Sequence, residues 1–191
     1  MSFIRYGRVL LGVVLPVALA IPLTATGAAA AAVPNRDIIN KTSGGRLATL
    51  NDSTADGAQA ITLRDPAWRY RTEVWDVEDL GEVGLSGNWL YVLRNQAANK
   101  CLQPAAANPA RGANVVIKTC DGSELQKWLL KPERISSTTT GWWSYRPRTA
   151  DGLALTLRRY NDGSWDTLYL DTAYPSSDRL WRTVPNDTAV D

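Results

Sequence analysis

Trp75, Trp128 and Trp181 recur at a constant interval of 53 residues, and this interval limits the possible folds more than any other feature of the chain. Eight tryptophans could produce one such coincidence, but the rest of the unit repeats with them. Leu47, Leu102 and Leu153 each stand ten residues before a glycine, namely Gly57, Gly112 and Gly163. An alternating apolar stretch follows each glycine (Ala60 to Leu63, Val115 to Ile117, Thr167 to Leu170), and each unit then closes on its tryptophan. Asp56-Gly57 and Asp162-Gly163 are turn dipeptides, and Arg111-Gly112 repeats the glycine; glycine permits positive φ, so a strand can reverse there. Further turn signals stand at Gly44-Gly45, Asp121-Gly122 and Asp151-Gly152, and no long stretch carries a helical apolar period. The chain reads as all-β.

One such unit would expose an unpaired apolar face. Three units closing about a pseudo-threefold axis bury those faces against one another, which makes Trp75, Trp128 and Trp181 structural core pillars. The units run over about 38–80, 90–130 and 141–184.

The segment before them reads differently. Arg5 and Arg8 precede an apolar run from Val9 to Leu23 and a small-residue tract from Thr24 to Ala32, the pattern of a secretory signal peptide over residues 1–32. The run falls short of the roughly 20 residues a membrane span needs, and Pro16 and Pro22 interrupt it. Cleavage would leave a mature domain of residues 33–191, secreted and extracellular, and the Ala-rich leader looks bacterial. Removing Arg5 and Arg8 leaves 19 of the 21 basic residues against 19 acidic ones. The precursor's basic pI is therefore a property of the leader and gives no support for a nucleic-acid partner.

The chain has no histidine, which excludes a Ser-His-Asp triad, a Cys-His pair and a His-ligated zinc; we expect no catalytic residue, no metal and no cofactor. Cys101 and Cys120 are the only cysteines. In an oxidising compartment they read as a disulfide worth roughly 3 kcal/mol by loop closure. A reactive or metal-binding pair would need neighbouring ligands that the sequence does not offer.

In the middle unit, Cys101-Leu102 is followed by Gly112, by Val115-Val116-Ile117, by Cys120 and by Gln126-Lys127-Trp128. This resembles the ricin B-type lectin repeat, with its Cys-Leu opening, internal disulfide and closing Gln-x-Trp. The outer units are looser: Glu73-Val74-Trp75 and Arg179-Leu180-Trp181 keep only the tryptophan. Asn40 and Asn95 lie seven residues before their leucines, and Arg146 stands there in the third unit. The resemblance implies a β-trefoil and sugar binding, as a lectin, a toxin-targeting subunit or a module beside a glycosidase.

A sugar pocket of this type uses a carboxylate just after the leucine, an aromatic ring against the apolar pyranose face, and an amide near the closing motif. The first unit offers Ala48, Leu63 and Thr72-Glu73, and reads as dead. The middle unit has Gln103 for the carboxylate and Lys118 for the ring, but keeps Gln126, which backbone groups could hold; Gln103 and Gln126 form a secondary candidate. The third unit has Ala154 in the carboxylate place, Tyr169 as its ring, Asp178 and Arg179 in the closing motif and Asp162 on the turn. These four, with Trp165 as an exposed neighbour, make the leading candidate for a shallow polyol site. A plainer reading makes Tyr169 a half-buried strand residue and the charges a solvated rim. Trp68 with Tyr70, Trp89 with Tyr91, and Trp142-Trp143 with Tyr145 read either as polysaccharide platforms or, by default, as plugs of the barrel ends.

The first functional expectation is a carbohydrate-binding protein whose partner is a glycan or polysaccharide, alone or with a separate toxin or enzyme chain. The alternative is a protein-protein module on the same scaffold, such as an accessory subunit or a protease inhibitor, which the missing carboxylates favour. A two-carboxylate glycosidase needs no histidine, but no acidic pair stands in a recognisable context and the repeats occupy the chain.

Overall fold

The computed structural model describes residues 32–65, 67–84, 88–158 and 163–186. Asp162 and most of the expected leader lie outside them. No α-helix occurs among the described residues, and no helix there is long and apolar enough to cross a membrane.

Six strands form a closed ring. They are β1 (Ala32–Asn40), β4 (Trp75–Val83), β5 (Asn88–Asn95), β8 (Lys127–Ile135), β9 (Thr138–Pro147) and β12 (Trp181–Pro185), each antiparallel to the next, with β12 returning to β1. Three hairpins cover one end: β2 (Arg46–Thr49) with β3 (Ala60–Leu63), β6 (Lys100–Pro104) with β7 (Val115–Thr119), and β10 (Leu153–Arg158) with β11 (Trp165–Thr172). The hairpins lean on one another cyclically, through Gln59 to Val116, Asn114 to Tyr169 and Thr167 to Ile61. A six-stranded barrel capped by three hairpins is a β-trefoil.

The two-residue strand period sends every second side chain inward. The core is consequently built in threefold layers: Ile38, Leu93 and Tyr145; Trp75, Trp128 and Trp181; Ala60, Val115 and Leu168, all fully buried. Each tryptophan donates its Nε1–H to a backbone carbonyl, of Leu47 (2.9 Å), Leu102 (2.9 Å) and Leu155 (3.0 Å). Burying one such ring removes about 200 Å² of surface and stabilises by about 5 kcal/mol before entropy is counted.

That last bond corrects the register of the third unit, where Leu155 rather than Leu153 corresponds to Leu47 and Leu102. The backbone N–H of Gly57 bonds Ile117 and that of Gly112 bonds Leu170, but Gly163 lies two residues short of the corresponding place, which Trp165 occupies. The physical reason is an extra rung, Arg158 to Thr167, which lengthens the third hairpin and carries its turn glycine away from the core. Asn40 and Asn95 face Trp181 and Trp75, and Pro147, not Arg146, faces Trp128.

Candidate functional site

With the register corrected, the position after the opening leucine holds Ala48, Gln103 and Thr156, and the repeat's aromatic position holds Leu63, Lys118 and Asp171. Tyr169 therefore does not occupy the aromatic position; it matches Ile61 and Val116. The third unit has a carboxylate where a ring was expected, and Asp171 is the residue that motif reading missed. The 53-residue interval does reach it, because counting on from Leu102 and Lys118 lands on Leu155 and Asp171.

Asp171 is buried and organises the third unit. Its Oδ1 accepts from Arg111 Nε (2.6 Å) and the Thr172 N–H (2.8 Å), and its Oδ2 from Tyr169 Oη (3.0 Å) and Arg179 Nη2 (2.6 Å). Burial pushes its carboxyl upward, but the Thr172 N–H, Arg111 and Tyr169 together outweigh that and hold it down at about 2. The Tyr169 hydroxyl is pushed up by burial and by its bond to Asp171. Arg179 is also buried, and donates to the Thr172 carbonyl (3.0 Å), Ser176 Oγ (2.8 Å) and both oxygens of Asp178 (2.9 and 2.8 Å). Ser176 in turn donates to Asp178. The Arg158 guanidinium sits 4.4 Å from the centre of the Tyr169 ring, and Arg179 sits 4.2 Å from that of Tyr174. The structure thus gathers Tyr169, Asp178 and Arg179, but into a web whose polar groups satisfy one another.

The middle unit is similarly closed. Gln126 is buried; its Oε1 accepts from the N–H groups of Asp121 (2.9 Å) and Gly122 (3.3 Å), and its Nε2 donates to the Thr119 carbonyl (2.8 Å) and Gln103 Oε1 (3.0 Å). Beside it, the disulfide joins Cys101 to Cys120 across a sequence separation of 19. Its equivalents take the same place with different chemistry: Arg179 above, and Glu73 in the first unit, which accepts from Arg46 Nε (3.0 Å) and Arg69 Nη1 (3.2 Å).

The first unit differs. Ala48, Ile61 and Leu63 form a small apolar cluster, against which Leu50, Tyr70 and Trp165 pack. Trp165, expected to be the exposed ring beside the third unit, is half-buried here because β11 pairs with β3 and sets it opposite Leu63. Tyr174, beside Arg179 in the third unit, is exposed, and so is Trp68, 45% accessible and stacked on Tyr70 with centroids 6.4 Å apart and planes at 28°. Arg46 Nη2 holds its loop through the Trp68 carbonyl (2.8 Å). Of the other aromatic pairs, Tyr145 is fully buried, while Trp89, Tyr91 and Trp143 are half-buried against the barrel core. Trp142 lies under two cations, Lys41 and Arg182.

Residues 71–168 match the model of the ricin-type β-trefoil lectin domain-like family. No curated protein matches the chain. Among solved structures, the designed threefold-symmetric protein ThreeFoil is 22% identical, with a TM-score of 0.62 over 78% of this chain and 96% of its own. The Rhizoctonia solani agglutinin is 14% identical, with a TM-score of 0.58 over 81% of this chain and 96% of its own. A Polyporus squamosus lectin, solved bound to a human-type influenza-binding epitope, is 19% identical, with a TM-score of 0.57 over 78% of this chain and 48% of its own. At such identities the likeness to these structures is one of fold. The family match extends over half of the sequence and agrees with the barrel, the three hairpins and the disulfide, and the chain belongs to the ricin-type β-trefoil lectin domain-like family.

Proposed function

We infer that this protein is a secreted, non-enzymatic carbohydrate-binding protein that holds glycans against an aromatic surface at the seam of its first and third units. The observation that carries this reading is the exposed Trp68 ring stacked on Tyr70, which together with Trp165 packs on the apolar cluster of Ala48, Ile61 and Leu63. A pyranose presents an apolar C–H face that such rings cover, and Arg71, whose exposed side chain bonds Asp52 through Nε, lies alongside in sequence to meet its hydroxyls. The webs around Asp171 and Gln126 are weaker candidates, because a sugar hydroxyl there would have to displace bonds already made. Residues 1–32 would direct export and be removed.

The test is a glycan and polysaccharide panel with protein starting at Val33. Trp68→Ala should weaken binding about tenfold, in line with one lost stacking ring, while Tyr169→Ala should leave most of it. Loss in Tyr169→Ala with binding kept in Trp68→Ala would return the site to the third unit. The closure of the second and third pockets also favours a second reading, a protein-protein module serving a separate toxin or enzyme chain. Silence across the panel with capture of a specific protein partner selects that reading.

A further inference from the structure

The barrel end opposite the hairpins contains a half-open cavity of about 330 Å³, lined by Val33, Arg36, Val77, Tyr91, Leu130, Gly141, Trp143 and Thr183. Its wall and floor follow the threefold layering. Arg36, Tyr91 and Trp143 pair with Trp75, Trp128 and Trp181 respectively, so they are equivalent positions one layer out from the pillars. Val77, Leu130 and Thr183 each stand two residues beyond a pillar and form the floor. Two units fill the wall position with an aromatic ring, and the first unit has an arginine.

That substitution breaks the symmetry. A third ring would plug the barrel; Arg36 leaves an opening and adds a charge to its rim. Among the described residues of the lining, Arg36 alone is charged, and it makes no ion pair or side-chain hydrogen bond. The Tyr91 hydroxyl is already directed to Asp79 (3.4 Å) and the Thr183 hydroxyl is bonded to that of Tyr145 (2.8 Å), so neither competes for a ligand at Arg36. An apolar, ring-walled hollow with one free guanidinium at its edge has the makeup of a small-molecule site. Its chemistry selects a ligand with an aliphatic or aromatic body and a single carboxylate that the guanidinium fork can grip.

We propose that this cavity binds a small amphipathic carboxylate, with the body seated between Tyr91 and Trp143 over Val77 and Leu130 and the carboxylate on Arg36. The site is distinct from the outer aromatic surface and does not depend on glycan binding.

Titration calorimetry of the full chain with hexanoate, heptanoate and octanoate tests it, with octanol as the uncharged comparison. Affinity should rise roughly fourfold per added methylene. Arg36→Gln keeps the space but removes the charge, and should weaken octanoate about tenfold while leaving octanol unchanged. Arg36→Trp restores the missing ring and should abolish binding of both. Absence of binding by all three acids, equal octanoate affinity in Arg36→Gln, or survival of binding in a folded Arg36→Trp would each overturn the proposal. If Arg36→Trp does not fold, the charge selectivity of Arg36→Gln decides alone.

Discussion

Replacing each pillar tryptophan by phenylalanine tests whether the core is threefold in energy as well as in geometry. Trp75, Trp128 and Trp181 are all fully buried and make the same bond, at 2.9, 2.9 and 3.0 Å, to equivalent carbonyls. Phenylalanine keeps most of the ring but removes the N–H donor, leaving a buried carbonyl short of a partner at a cost of about 1–3 kcal/mol. The lost ring edge leaves a small void that costs about 1 kcal/mol more. Each variant should therefore lose about 2–4 kcal/mol, which for a domain of this size lowers the melting temperature by about 5–15 °C. Urea denaturation followed by circular dichroism reads this out, with the m-value unchanged because the fold is kept. The double variant of Trp75 and Trp128 should depart from additivity, since both rings belong to one packed core. The reasoning fails if one pillar proves silent, below about 0.5 kcal/mol, while another costs the full amount.

Removing the disulfide by a Cys101→Ala, Cys120→Ala pair should cost about 3 kcal/mol, the chain-entropy value for a separation of 19, measured by the same denaturation. Asp171 has a folded pKa of about 2, below its unfolded value, so its contribution is present above about pH 4 and disappears as pH falls toward 2. Asp171→Asn should accordingly be less stable than the parent at pH 6, and the gap should narrow on acidification to pH 2; a gap constant with pH would refute the assignment. Gly112→Ala should cost about 1 kcal/mol through backbone strain alone, because φ is +89° and a Cβ there meets nothing within 4 Å. Gly45→Ala should instead meet the Thr62 Cβ at 3.0 Å, and a melting curve separates the two cases.

The all-β architecture could be read from the tryptophan interval and the turn glycines, since both follow from rules local to a strand and a hairpin. The third unit was misaligned by two residues because Gly163 carries the turn chemistry of Gly57 and Gly112 while sitting on a longer hairpin. Turn residues report where a strand reverses, and the tertiary pairing reports which rung that reversal belongs to. Asp171 was missed for the same reason. Trp165 follows a turn in sequence, yet β11 crosses to β3 and carries the ring onto the first unit, a contact between residues about a hundred positions apart. The cavity at Arg36 is written in no motif at all, because six strands each contribute only one or two of its residues.

The barrel's opening strand lies against its closing one: β1 pairs with β12, and the Asn186 N–H bonds the Asn35 carbonyl at 2.8 Å while its side chain reaches Asp37 at 2.8 Å. The two ends of the described chain are therefore neighbours, and a short linker could join them without disturbing a strand. New ends could then be cut at Ser136, in the turn between β8 and β9, where the adjoining Ile135 is exposed. Circular permutants of this domain should fold, so the order in which its units are synthesised is separable from the shape they form.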